Sequence, residues 1–368
     1  MAYIRHIETL VPDHRYSQSE TRDLLVDRAK SDRSKRFIKK VLFESGIANR
    51  HSVISDCKKE EKEPRLFLHA DGSFREPSTG ERNAIYVDEV KKLVPELARR
   101  TLANCPGVSA SEISHVVTVS CTGFFNPGPD LLVIDALDLP STVQRFQLGF
   151  MGCYGAFPAL KMAEQFCAAD PSAVVMVVCI ELCSIHMQAR EDLDSIVANS
   201  VFADGAAAAI VSSTPPAEGA RGFSISRFAS SLVREGANDM AWDIGDHGFN
   251  IVLSKYVSRI IGDGIKNIID EVFSESGMSP DDIRKWAIHP GGRAILDRVE
   301  KSLGLQPEQV VASRATLSKY GNMSSATILF VLNEIIMNLD TKDGESVCAM
   351  AFGPGLTIET AFLHAVVS

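Results

Sequence analysis

Three residues on distant stretches of the chain could together act on a carbonyl group: Cys153, His289 and Asn322. Cys153 stands in Gly152-Cys153-Tyr154-Gly155, at the head of a segment whose sides are all apolar or small. Unpaired backbone N–H groups and the helix dipole at such a place favour a thiolate. A buried cysteine is otherwise an inert small hydrophobe, but the flanking glycines permit a tight turn and the close approach of another backbone or a ligand. His289 closes Trp286-Ala287-Ile288-His289 and is followed by Pro290-Gly291-Gly292. That loop would hold an imidazole at the carboxyl edge of a sheet, where open α/β sheets place ligands; a hydrogen-bonded core histidine is the other reading. Asn322 heads a second apolar helix as Cys153 heads the first, and it also reads as an ordinary N-cap. As a set the three supply a thiolate nucleophile, an imidazole and a carboxamide, the last two able to donate to an oxygen that gains negative charge.

Other chemistries lack their residues. The chain contains no G-x-S-x-G, no G-x-x-x-x-G-K-[ST] and no G-x-G-x-x-G after a strand, which removes triad hydrolysis, phosphoryl transfer and hydride transfer. The 368 residues are 45% hydrophobic with a formal charge of −9, a composition for a globular protein with ample core. An acidic balance disfavours nucleic acid as partner and requires a local basic patch for any anionic substrate. The longest strongly apolar run, at 173–180, is far short of the roughly 20 residues of a membrane helix. The opening segment, broken by Arg5, His6 and Glu8, does not resemble a signal peptide. Eight scattered cysteines are expected to be reduced core thiols of a cytoplasmic protein, with Cys179 and Cys183 in core packing rather than on zinc.

The elements that must position these groups alternate. A helix is expected over 17–48, opening at Ser17 or Ser19 and carrying Arg28, Lys30, Arg33, Lys35, Arg36, Lys39 and Lys40, either a solvated face or an anion-binding surface. Residues 55–85 read as an exposed excursion, with the next helix starting near Asn83. There follow helix 84–104, strand 114–121, helix 128–138, strand 143–149, helix 154–169 and strand 173–180, then a strand of small residues from Asp204. Such alternation predicts a mostly parallel sheet with helices on its faces. The second half repeats the order: strand 222–230, helix 254–276, strand 285–289, helix 293–303, a loop, helix 323–338 and strands 346–352 and 356–364. A helix without a polar face is buried between layers. The chain is therefore expected to form two pseudo-equivalent halves, 1–214 and 215–368, around two central helices whose N-termini face one cavity.

Five segments now carry a resemblance: QLGFMGCYGAFPALKMAEQF around Cys153, SVFADGAAAAIV around Phe202, WAIHPGGRAILDRVE around His289, SKYGNMSSATILF around Asn322, and the closing AFGPGLTIET. In order and spacing, from about residue 20 onward, they resemble the chalcone synthase-like type III polyketide synthases. The resemblance implies a thiolase-like αβαβα fold, a homodimer, and an iterative condensing enzyme that uses coenzyme A thioesters as substrates and needs no cofactor or metal. It implies that Cys153 carries a starter acyl group, that His289 and Asn322 hold the enolate oxygen left when malonyl-CoA loses carbon dioxide, and that Phe202 is a gate between coenzyme A tunnel and cavity. Thiolate charge would gain from pairing with protonated His289. Lys40 and Ala294 fall on coenzyme A-binding positions, and Arg36 or Lys39 are further phosphate candidates, while Phe37 and Glu44 stand where other members carry cations.

By the same motifs Cys121, Cys183, His186, Trp242, Ile251 and Ser324 line the substrate pocket, where plant members carry Thr, Thr, Thr, Gly, Phe and Ser. Losing the aromatic wall at Ile251 and filling space with Trp242 argue against a coumaroyl starter. The segments SCTG, ELCS and WDIGDHGF resemble bacterial members, several of which take fatty acyl starters and make alkylresorcinols or alkylpyrones. Asn126 replaces a methionine that in plant members reaches across the dimer. The competing expectations are a single-condensation ketoacyl synthase of the fatty-acid initiation type, against which the GPGLTIE ending argues, and a noncatalytic thiolase-fold protein that binds coenzyme A.

Overall fold

The computed structural model describes all residues except 57–65, 70, 72, 255–256, 277–278, 339 and 368. Cys57 and the charged run 58–65 that follows it lie outside the described residues. The first half runs β1 (Ala2–Leu10), β2 (His14–Ser17), α1 (Gln18–Arg28), α2 (Asp32–Glu44), β3 (Asn49–Ser52), α3 (Thr79–Ala103), β4 (Ile113–Ser120), α4 (Pro129–Leu137), β5 (Gln144–Gly149), α5 (Ala156–Ala169), β6 (Val174–Leu182), α6 (Leu193–Val201) and β7 (Asp204–Ser212). The second runs β8 (Arg221–Leu232), β9 (Met240–Gly245), β10 (Gly248–Leu253), α7 (Val257–Ser276), β11 (Lys285–Ile288), α8 (Arg293–Leu303), α9 (Val311–Tyr320), α10 (Thr327–Asn338), β12 (Ser346–Gly353) and β13 (Thr357–Val367).

Nine strands form one sheet in the order β11-β12-β13-β8-β1-β7-β6-β4-β5. Read outward from its centre, β1-β7-β6-β4 and β8-β13-β12-β11 repeat the same pairing senses: antiparallel, antiparallel, parallel. The expected mostly parallel sheet is thus corrected to a mixed one, with parallel pairs only towards its flanks. Strands covered on both faces read as continuous apolar runs whichever way they point, so direction was hidden in the pattern.

The two-residue period of those strands sorts the core into layers. Val175, Val177 and Cys179 of β6, with Ala207, Ala209 and Val211 of β7, pack on α5 and α10. Their neighbours Val174, Met176, Val178, Ala206, Ala208 and Ile210 face α3 and α4 instead. In the second half Val347, Ala349 and Ala351 of β12 join the α5 and α10 layer, while Cys348, Met350 and Phe352 face α7, α8 and α9. The result is helix, sheet, helix, sheet, helix. Alanine faces the central layer because two helices must fit between the sheet halves.

Local signals account for most element ends. Ser17 caps α1 in a full capping box with Glu20. The helix expected to run to residue 48 breaks after Arg28, and Ser31 starts α2 by accepting from the Ser34 N–H. Ser78, not Asn83, caps α3 through a second capping box. Helix α9 occupies the expected loop, and β1, α6 and the β9–β10 hairpin were not anticipated.

The central helices approach closely where Gly155 meets the segment before α10. A Cβ on Gly155 would lie 2.8 Å from Val119 Cγ1 and 3.3 Å from Ser325 Cβ. Gly155→Ala is expected to destabilise by about 1–3 kcal/mol through overpacking, read as a lower urea midpoint. Gly80→Ala, where the nearest atom is a serine hydroxyl at 3.9 Å, should leave the midpoint unchanged or slightly raised. Equal midpoints in the two variants would contradict the close approach.

Candidate active site

A cavity of about 820 Å³, its mouth included, opens between the two halves. Cys153, His289 and Asn322 line it together. Cys153 lies in a 3₁₀ turn, Gly152–Tyr154, ahead of α5 rather than within it. Gly152 holds φ +77°, and a Cβ built there would lie only 2.8 Å from Pro354 Cδ and 3.1 Å from the Trp242 ring. Asn322 precedes a matching 3₁₀ turn, Ser324–Ala326, ahead of α10. Both central helices therefore present irregular turns, not regular first turns, to the cavity.

Asn322 is fixed by its backbone and its amide. Its N–H donates to Val201 O at 2.9 Å and its carbonyl accepts from Ala203 N at 2.8 Å, pinning it beside Phe202. Ser324 N donates to Asn322 Oδ1 at 2.9 Å, at a residue held in the left-handed region with φ +46°. This turns Asn322 Nδ2 towards Gly291 O, 3.3 Å away, and Cys153 Sγ, 3.9 Å away. The orientation leaves an N–H donor beside the sulfur.

His289 is 1% exposed and neither ring nitrogen has a hydrogen-bond partner among the described residues. Its strand ends at Ile288, one residue earlier than expected, though His289 N still donates to Met350 O at 2.7 Å. Burial pushes the His289 imidazole down to about 3. Burial likewise pushes the Cys153 thiol up to about 11, against the pull of hydrogen bonds from Ser324 and Asn322 and with the Glu181 charge adding to the rise. Burial thus works against the charged form of both partners of the expected ion pair of thiolate and protonated His289. Each charge alone is too costly in this apolar space, so the helix-end contribution loses to desolvation.

Beneath the cavity lies Glu181, fully buried on β6, which the sequence reading missed. Its Oε2 accepts from Cys121 N at 3.0 Å and Thr122 Oγ1 at 2.9 Å, and its Oε1 accepts from Ser325 Oγ. Gly152 N donates in turn to Cys121 Sγ at 3.0 Å. One carboxylate thus ties together the end of β4 and the turns before α5 and α10. Burial pushes it up to about 7, against these hydrogen bonds. A charged side chain flanked by Ile180 and Leu182 inside an apolar strand was the signal available for it.

All six expected pocket positions reach the cavity. Cys121, Cys183 and Ser324 lie near its floor with Cys153, and Trp242 and Ile251 come from β9 and β10. His186 stacks on Phe249 at 3.8 Å and donates from Nε2 to Thr122 O at 2.7 Å. Phe202, just after α6, also lines the cavity. Met240, Phe249 and Leu253 of the hairpin were missed, although alternation around Gly245-Asp246-His247-Gly248 carried a hairpin signal.

Lys40 and Ala294 do not line the cavity. Both are exposed, Lys40 beside Arg22, Lys39 and Phe43 in a surface hollow. Ala294 sits in the first turn of α8, whose Arg293 adjoins Gly46 just past α2. Arg36 and Lys39 are exposed, while Phe37 packs against the small α1–α2–α6 core. Asn126 is exposed and joined to Pro127 by a cis peptide bond.

The rate of Cys153 alkylation by iodoacetamide, followed on its own peptide, should keep climbing past pH 9.0 because the reactive thiolate appears only as the raised pKa is approached. Glu181→Gln removes a negative charge and should move that profile to lower pH. A plateau already below neutrality would mean that His289 takes the thiol proton in the free protein.

Residues 1–215 match the family description "Chalcone and stilbene synthases, N-terminal domain", and residues 225–367 the corresponding C-terminal domain. The chain is 30% identical over 363 residues, 98% of its length and 90% of the relative's, to the Alpha-pyrone synthesis polyketide synthase-like Pks18 of Mycobacterium tuberculosis. Among solved structures it resembles PKS-I from the brown alga Ectocarpus siliculosus, at TM-score 0.91 and 27% identity over 99% of this chain and 98% of that one. It also resembles 1,3,6,8-tetrahydroxynaphthalene synthase from Streptomyces coelicolor, at TM-score 0.88 and 28% identity over the whole of both chains.

Proposed function

The chain belongs to the chalcone and stilbene synthase family of type III polyketide synthases, acyl-transferring enzymes, and from that premise we propose that it extends a fatty acyl-CoA starter with malonyl-CoA units at Cys153. The observation that carries this reading is the convergence of Cys153, Asn322 and His289, one from the first half and two from the second, on one apolar cavity. Residues 1–214 would supply nucleophile and gate, and 215–368 the two donors.

In the first step Cys153 Sγ attacks the starter carbonyl, the C–S bond to coenzyme A breaks, and the thiol proton passes through His289 to the departing coenzyme A sulfur. Malonyl-CoA then loses carbon dioxide, which leaves an enolate without any strong base. Its oxygen takes hydrogen bonds from Asn322 Nδ2 and a His289 N–H. A neutral imidazole suits this role, since it donates without needing a counter-charge in an apolar site. The enolate carbon attacks the acyl thioester on Cys153 and frees the sulfur for the next round. Repetition and ring closure would give an alkylpyrone, an alkylresorcinol or a related product. Phe202, pinned against Asn322 through the backbone, would be the gate, with the surface near Lys40 and Ala294 the outer coenzyme A contact. We further propose a cytoplasmic homodimer that needs no resident cofactor.

Carbon dioxide release from malonyl-CoA, together with the masses of products from a panel of acyl-CoAs, tests this reading. Asn322→Ala and His289→Ala should each slow release by about 10²–10³-fold, the usual effect of losing one donor to an oxyanion. Folding of each variant is checked by its melting temperature. Wild-type protein that binds malonyl-CoA but releases no carbon dioxide would favour a binding protein instead.

A further inference from the structure

Helix α2 buries Ser34, Ile38 and Leu42 at four-residue spacing, and its opposite side displays Arg33, Arg36, Lys39, Lys40 and Phe43 to solvent. With Lys35 the helix carries five cations against two acids, Asp32 at its start and Glu44 at its end. Among the described residues none of the five cations has an ion-pair partner. Arg33, Arg36 and Lys40 follow one another three and four residues apart, so like charges meet along the stripe. Phe43 comes one turn further on, 87% exposed, in a surface hollow with Lys39, Lys40 and the paired Arg22 and Asp23.

In a chain of net charge −9 this is a local reversal of sign. Cations that repel each other and a ring left in water both gain from a partner that offers negative charge over an apolar interior. The stripe also has a position. A Cβ built on Gly46, just past α2, would lie 3.4 Å from Arg293 Cβ, and Arg293 stands between Gly291 and Ile295, which line the catalytic cavity. The face therefore ends beside the rim of that cavity.

We propose that this face of α2 docks on an anionic lipid bilayer, with Arg33, Arg36 and Lys39 at the headgroup phosphates and Phe43 inserted below them. The inner side of α2 is already packed against α1 and α6, so the helix does not sink into the bilayer and the contact is peripheral and reversible. An acidic protein would match the cations but would also need an apolar pocket fitted to Phe43, whereas a bilayer presents charge and hydrocarbon at every point. The docking needs no catalytic step. Its use rests on the type III synthase reading above: a long acyl chain partitions from water into the bilayer, and docking sets the cavity rim against the surface that holds such an acyl-CoA.

Flotation of the full chain with vesicles of mixed phosphatidylglycerol and phosphatidylcholine tests this, with pure phosphatidylcholine vesicles as the control. Binding should require phosphatidylglycerol and fall as salt is raised. Arg33→Ala should weaken it about fivefold and Phe43→Ser about tenfold. Both side chains are exposed, so melting temperatures should not change, and kcat and KM for butyryl-CoA in free solution should stay at the wild-type values, which separates this face from the coenzyme A contact near Lys40. Absence of vesicle binding, equal binding to both kinds of vesicle, or full binding by both variants would overturn the proposal. Capture of soluble polyglutamate without capture of vesicles would assign the face to an acidic protein and overturn it as well. Vesicle binding that follows the two variants, in a protein that releases no carbon dioxide from malonyl-CoA, would sustain the docking and remove the synthase reading.

Discussion

Desolvation is the constraint from which the rest of this structure follows. A thiol, an imidazole and an amide are held where water cannot satisfy them, and two of the three are driven to their neutral forms by that burial. Such groups are poor company for one another at rest. They become strong partners once an oxygen gains charge among them, because the interaction then acts in a low dielectric and no solvent has to reorganise. The cavity's aromatic walls, including Phe249, Trp242 and Phe352, serve that end as much as they serve substrate fit.

Keeping polar groups dry and still aligned demands rigid support from beneath, and Glu181 provides it. Its oxygens are shared among the Cys121–Thr122 turn and Ser325, while Cys121 in turn accepts from Gly152 beside the nucleophile. A buried carboxylate is expensive unless it is fully bonded. Here the bonding reaches all three segments that frame the site, so fold stability and site geometry depend on the same side chain. The repeated sheet order explains why such a clamp is available: each half brings one irregular turn to the centre, and the two turns are near-equivalents placed face to face.

Much of this was legible in the sequence. Cys153 and Asn322 stood out because glycines and small residues head two largely apolar helices, and His289 because a Pro-Gly-Gly loop ends its strand. Two halves around central helices followed from the apolar sides of those helices and the alternation of elements, and the αβαβα layering from the family resemblance. Strand direction did not, since burial on both faces erases the pattern that distinguishes parallel from antiparallel. The break at Ala29 was obscured by continuous charge on either side, and α9 by its mixed surface of serine, threonine and arginine. The burial that opposes a thiolate at Cys153 was not legible, because position at a helix start is visible in sequence and depth is not. Lys40 and Ala294 were placed by motif alone, and the cavity lining runs past them.

Three thiols, Cys121, Cys153 and Cys183, line the catalytic cavity, and the account requires that only one of them becomes acylated. The most direct measurement is peptide mass spectrometry of the protein quenched shortly after mixing with a fatty acyl-CoA. Added acyl mass on the peptide that contains Cys153, absent in a folded Cys153→Ala variant, is the predicted result. Acyl mass on Cys121 or Cys183 instead, or transfer that persists in that variant, would contradict it.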